Sequence, residues 1–202
     1  RSTLFPYTTL FRSRTGLFDA FVEKSKTLVE TYKLGNPLEE GTTLGPMAHR
    51  RFAEEVRSQI AEAIEAGAKP LIDPALFPAD VGDTAYLAPQ ILIDVDHSLR
   101  VMRDESFGPV VGIMKVASDE EAVALMNDSD FGLTASLWTN DEAAAAAIGR
   151  RIETGTIYMN RCDYLDPALC WTGCKDTGHG ASLSILGYGS VTRPKSYHLK
   201  KA

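Results

Sequence analysis

Residues 104–116 read DESFGPVVGIMKV. The second half of this stretch, 110–116, is apolar on nearly every residue. A run without polar alternation suits a strand buried on both faces, and such strands belong to parallel sheets covered by helices. Gly108 permits close backbone approach, and Pro109 fixes the direction in which the chain enters the strand. Glu105 therefore stands at the mouth of a sheet, with the aromatic Phe107 two residues on. A carboxylate so placed can accept hydrogen bonds from two vicinal sugar hydroxyls while the aromatic flanks a flat ring. A plain turn carrying a solvated glutamate is the other reading, and the residues alone leave both open.

Elements on either side support the sheet. From Gly16, apolar residues recur at three- and four-residue steps (Leu17, Phe18, Phe21, Val22, Leu28, Val29, Tyr32), which predicts a helix that stops at Gly35-Asn36-Pro37. A second helix is expected over 48–66, with Phe52, Val56, Ile60 and Ile64 as its stripe and Gly67 as its left-handed cap. Short strands are expected at 69–72 and 88–95, with a loop between them rich in Asp, Pro and Gly. After 110–116, Ser118 and Glu121 form a capping box that opens a helix. A strand at 133–138 follows. Thr139 and Glu142 form a second box, before a helix over 141–152 and a strand at 155–160. Strands alternating with helices of this length predict an α/β fold: an open, largely parallel sheet with helices on both faces.

Composition narrows the function classes. The chain has 202 residues, net charge −6 and three cysteines, with a pI near 5.2. No Lys/Arg block suggests nucleic acid or an anionic membrane. No apolar run reaches the ~18 residues that cross a bilayer. An odd number of cysteines, all late in the chain (Cys162, Cys170, Cys174), speaks against a disulfide framework and for a reducing, cytoplasmic setting. Their spacing lacks the tight pairs of a zinc site, so no metal is expected; a zinc hydrolase built on these cysteines and His179 is the weaker alternative.

Three further stretches invite a chemical reading. Residues 127–133, with Asn127 and Gly132, read as a structural turn. Residues 155–160 read as a strand that ends in an amide, Asn160. Residues 171–180, WTGCKDTGHG, hold three glycines in eight positions and so form a loop of unusual dihedrals. Lys175 in this loop lacks the spacing of a phosphate-binding P-loop. Trp171 suits either a substrate wall or a packed interface.

Taken in order, these stretches resemble the aldehyde dehydrogenase superfamily. ESFGPVVGIMKV is similar to that family's E-x-F-G-P-V segment, and NDSDFGLTASLWT to its N-x-x-x-[FY]-G-L-x-A segment. ETGTIYMN is similar to its x-x-G-x-V-x-[VI]-N strand, and WTGCKDTGHG to its F-G-G-x-K-x-S-G-x-G loop. LFDAFVEKSK and LGNPLEEGTTLGPM resemble the upstream helix and turn. The likeness covers residues 14–202. It implies NAD or NADP as cofactor, with Glu105 on the nicotinamide ribose hydroxyls and Phe107 beside the ring. It also implies a small-molecule aldehyde as substrate, with Trp171 at its mouth. Thr172, Thr177 and the run His179-Gly180-Ala181 depart from the common pattern, which bears on substrate preference. Residues 14–180 would be the latter part of the catalytic domain, and 181–202 a C-terminal arm whose strand pairs with another subunit in a homo-oligomer.

Family members oxidise aldehydes through a cysteine thiohemiacetal and thioester, with a glutamate-activated water. Counting back from Asp19 and Phe21 puts that cysteine near Phe5. Residues 3–13, TLFPYTTLFRS, match in one frame the translation of a common sequencing-adapter oligonucleotide, so 1–13 are expected to lie outside the fold. The resemblance thus implies a chain without nucleophile, general base or dinucleotide-binding domain, inactive by itself. A non-enzymatic homologue that associates with full-length subunits is the alternative.

Overall fold

The computed structural model describes residues 9–162 and 164–201, which fall into two compact units, one ending at Ser118 and the other beginning at Asp119.

The first unit is built on a four-stranded sheet. Its strands are β1 (Thr9–Arg14), β2 (Lys69–Pro70), β3 (Gln90–Ile93) and β4 (Val110–Val116), in the order β1-β4-β3-β2. β4 pairs in parallel with β1 and β3, and β2 is antiparallel to β3. This is the open, largely parallel sheet expected from the run at 110–116. Helix α1 (Thr15–Glu30) covers one face and α2 (Arg50–Glu65) the other. Side chains alternate between them: Leu10, Leu92, Val110 and Met114 pack toward α2, while Phe11, Ile91, Val111 and Ile113 pack toward α1. β4 is apolar throughout because each face has its own helix.

Residues 9–13, expected outside the fold, instead form most of β1; residues 1–8 lie outside the described residues. The physical reason is local. Leu10 and Phe11 present an apolar residue to each face, and the Phe11 ring meets Phe21 of α1 at 5.2 Å between centroids. The open edge of β4 accepts any segment with that alternation.

Helix α2 shows why its sequence stripe is only partly right. Steps of exactly four residues drift around a helix of 3.6 residues per turn. Its buried residues are Ala53, Val56, Gln59 and Ala63, while Phe52 and Ile64 are exposed. Its end follows expectation: Gly67 adopts φ +109°, and the N–H groups of Gly67 and Ala68 close onto the carbonyls of Ile64 and Ala63.

A buried and a half-buried side chain lock the segment between α2 and β3. Gln90, 8% exposed, accepts hydrogen bonds from the N–H groups of Leu71, Ile72 and Ile91 and donates to the Ile72 carbonyl. Asp80 accepts from Arg57 Nη2 at 2.7 Å, from Ala88 N at 2.8 Å and from Gly82 N at 3.2 Å.

The second unit contains helices α3 (Asp119–Asn127) and α4 (Glu142–Gly149). Its strands are β5 (Phe131–Gly132), β6 (Thr134–Leu137), β7 (Thr156–Met159) and β8 (Cys174–Lys175). β6 and β7 are parallel, and β5 and β8 antiparallel. Val123, Ala135 and Ile152 form its small core. The cap of α4 is Asp141, which accepts from Ala144 N, rather than Thr139, whose hydroxyl accepts from Asp141 N. A last helix, α5 (Ser184–Val191), leaves Ile185, Leu186, Tyr188 and Val191 exposed. Residues 193–200, expected to supply a strand that pairs with another subunit, are exposed and pair with no strand among the described residues.

Burial pushes the Asp80 carboxyl up, but the hydrogen bonds from Ala88, Arg57 and Gly82 outweigh it and hold Asp80 below its ordinary value. Its stabilising effect is therefore complete above the unfolded pKa of about 3.9 and is lost as pH falls through the lower native value. Asp80→Asn should cost about 1–3 kcal/mol in urea unfolding at pH 7. The deficit should shrink as both proteins are taken below about pH 3.9. A deficit independent of pH contradicts the assignment.

Candidate functional site

The stretch Glu105-Ser106-Phe107-Gly108 leads into β4 with its side chains sorted to opposite sides. Ser106 is 6% exposed, whereas Phe107 is 45% exposed and Glu105 is exposed. The inward side is fixed by α2. The Ser106 hydroxyl donates to Gln59 Oε1 at 2.6 Å. At Gly108 an added Cβ would lie 2.9 Å from Val56 Cγ2 and 3.2 Å from Met47 Cε, so the backbone rests directly on α2. Pro109 offers its carbonyl to Gln90 N at 2.8 Å, which ties the loop to β3 as well.

Phe107 has φ +46°, a left-handed conformation that a bulky residue adopts only when its surroundings impose it. Its neighbours on both sides are held by α2, and the outcome is an aromatic ring presented outward. The Glu105 carboxylate makes no hydrogen bond or ion pair among the described residues. The neighbouring acid, Asp104, is occupied: Arg100 bonds it at 3.1 Å and bonds Glu62 at 3.0 Å and Glu55 of α2. Hydrogen bonds that Arg100 donates to those three carboxylates, Glu55 first, push its guanidinium above the ordinary range. The network leaves Glu105 as an accessible anion beside an exposed aromatic on an anchored backbone. Two carboxylate oxygens match the two donors of a vicinal diol, and the adjacent ring offers a flat apolar wall. These residues fit the ribose and ring of a nicotinamide nucleotide.

Trp171 lies in the second unit. It makes an antiparallel bridge with Ser182, N to O distances being 2.8 and 2.9 Å, and it is half-buried. Its indole borders an open cleft of about 210 Å³ that is also lined by Tyr158, Arg161, Tyr164 and Cys170. Arg161 stacks on Tyr164, 3.7 Å from the ring centroid.

The other chemically suggestive residues have structural duties. Lys175 Nζ donates to the carbonyls of Asn127 (2.6 Å) and Ser129 (2.8 Å) and pairs with Glu153 at 2.9 Å. Asn127 bridges the Arg151 carbonyl and Glu153 N, and Asn160 exchanges two hydrogen bonds with Thr139. At Gly155 a Cβ would fall 1.7 Å from the Thr172 carbonyl oxygen, so the glycine is what lets the 171–180 loop lie against β7. Cys162, Cys170 and Cys174 are not joined in a disulfide, and among the described residues no His, Cys, Asp and Glu cluster has the arrangement of a metal site. No helix among them is long and apolar enough to cross a membrane. Sequence pattern did not single out Gln59 or Ser106. Gln59 on an otherwise apolar helix face was the available signal.

The aldehyde dehydrogenase family matches residues 11–197. An aldehyde dehydrogenase of Paenarthrobacter nicotinovorans is 37% identical over 171 residues, covering 85% of this chain and 37% of that protein. A succinate semialdehyde dehydrogenase, NAD(P)+, of Escherichia coli is 33% identical over 172 residues, again 85% of this chain and 37% of the relative. The chain thus spans little more than a third of the relatives it matches. Among solved structures, succinic semialdehyde dehydrogenase from Streptococcus pyogenes, in complex with NADP+, superposes with a TM-score of 0.80 at 30% identity, over 90% of this chain and 39% of that one. Betaine aldehyde dehydrogenase from Staphylococcus aureus, in complex with NAD+, gives 0.80 at 25% identity, over 90% and 36%. Motifs, fold and sequence match point the same way: the chain belongs to the aldehyde dehydrogenase family.

Proposed function

We propose that this chain carries the nicotinamide-ribose side of an NAD(P)+-dependent aldehyde dehydrogenase site. Glu105 accepts hydrogen bonds from both ribose hydroxyls, and Phe107 lies beside the nicotinamide ring. The observation that carries this reading is the exposed Glu105 carboxylate, unpartnered among the described residues, next to an exposed Phe107 on a loop fixed to α2. NAD(P)+, when bound, supplies the hydride acceptor for aldehyde oxidation to a carboxylic acid. The part of these residues is to bind and orient it. Trp171 is the aromatic at the substrate mouth, and the names of the relatives support an aldehyde substrate and NAD+ or NADP+.

By the family resemblance the reactive cysteine would fall near residue 5, where the sequence has Phe5, and the first cysteine is Cys162. On this reading the nucleophile, the general base and the dinucleotide-binding domain must be supplied from outside these 202 residues, and the chain alone does not turn over aldehyde. A second reading, a non-enzymatic truncated homologue that associates with full-length subunits, is favoured by the exposed apolar side chains of α5. Both assign residues 181–202 to subunit contact.

Glu105→Gln should raise the Kd of the 202-residue chain for nicotinamide mononucleotide about ten- to a hundredfold, because a hydrogen bond to a charged acceptor contributes about 1.5–3 kcal/mol. An unchanged Kd overturns the ribose assignment. Incubated with NAD+ or NADP+ and a panel of aldehydes, the purified chain should produce no absorbance of reduced cofactor. Steady production would show that one of the three cysteines serves as nucleophile.

A further inference from the structure

We propose that Gln59 is the positioning residue of the cofactor loop: through Ser106 it holds Glu105 and Phe107 in the outward geometry that receives the nicotinamide nucleoside. This extends the proposed cofactor role of Glu105 and Phe107, and rests on it.

Gln59 is 2% exposed in the middle of α2's apolar face, a costly place for a side-chain amide unless its groups are paired. Both ends are paired. Its Oε1 accepts from the Ser106 hydroxyl at 2.6 Å, and its Nε2 donates to Glu55 Oε1 at 3.2 Å. Glu55 is itself bonded by Arg100, which also grips Asp104 and Glu62. The Glu55 carboxylate accepts only, so it fixes which end of the Gln59 amide faces Ser106. The acceptor is thereby aimed at the loop rather than left to rotate.

Ser106 lies between the two residues that face outward. With its hydroxyl drawn into the core, its neighbours on either side are left exposed. The left-handed Phe107 needs such restraint, since nothing in its own preference keeps it at φ +46°. Gly108 against Val56 secures the far side. Hydrophobic packing alone would hold α2 on the sheet. It would not select this orientation of residues 105–107.

The test uses the full 202-residue chain with Gln59→Leu, Ser106→Ala and Ser106→Thr, each compared with wild type by backbone ¹⁵N relaxation, by nicotinamide mononucleotide titration and by melting temperature. Gln59→Leu and Ser106→Ala should lower the order parameters of Glu105 and Phe107 from about 0.85 to below about 0.6, with β3 and β4 unchanged. Both should weaken nucleotide binding about tenfold at 25 °C, and Ser106→Thr, which keeps the hydroxyl, should retain wild-type order and affinity. Ser106→Ala carries the test if Gln59→Leu does not fold. Loop order that stays at the wild-type value in the folded variants, with only the melting temperature lowered, overturns the proposal. Failure of the cofactor reading looks different: wild type and Glu105→Gln then bind the nucleotide equally poorly, while the relaxation arm still decides the role of Gln59.

Discussion

The contact between α2 and the four residues before β4 constrains the rest of the first unit. It combines an apolar surface, where Gly108 rests on Val56, with a buried polar bond from Ser106 to Gln59. The two parts do different work. Burying Val56 and its neighbours contributes about 1.5–3 kcal/mol per side chain and is indifferent to small rotations. The polar bond contributes about 1 kcal/mol net but is directional, and breaking it strands a buried group at a cost of about 1–3 kcal/mol. Packing makes the interface stable; the hydrogen bond makes it specific. The loop's outward residues inherit that specificity.

The constraint propagates through β4. The loop ends at Pro109, whose carbonyl bonds Gln90 N, and the next residue pairs in register with Gln90. Gln90 in turn clamps residues 71–72. The buried polar residues among those described, Gln59, Gln90 and Ser106, thus sit on one route from α2 through the loop to β2 and β3. On the other side β4 receives β1 along its whole length, in register from Thr9 with Val111 to Arg14 with Val116. A loop placed this way has little freedom to turn the Glu105 carboxylate inward.

Much of this was legible in the sequence for identifiable reasons. The apolar run at 110–116 required two covered faces, and α1 and α2 supply them. The Gly-Pro step before it required a fixed approach, and Gly108 has one. Glu105 and Phe107 were singled out by their likeness to the E-x-F-G-P-V segment, while the residues alone left a plain turn with a solvated glutamate open. What escaped notice depended on tertiary partners. Gln59 reads as a polar residue on a helix and becomes buried only because Ser106 lies opposite. Phe52 and Ile64 fit a four-residue pattern but rotate out of the interface. Residues 9–13 suggested foreign sequence, yet Leu10 and Phe11 satisfy the two-sided demand of an open strand edge whatever their origin. In the second unit, the spacing around Lys175 already spoke against a phosphate loop, but its structural partners, the carbonyls of Asn127 and Ser129, depend on the tertiary fold.

The central claim is spatial: a nicotinamide ring lies beside Phe107 while Glu105 holds its ribose. The most direct measurement is an intermolecular NOE experiment on the 202-residue chain with saturating nicotinamide mononucleotide and selectively labelled phenylalanine. The account predicts cross-peaks between the nicotinamide ring protons and the Phe107 ring, lost in Phe107→Leu. Cross-peaks confined to other phenylalanines, such as Phe18 or Phe52, would contradict it.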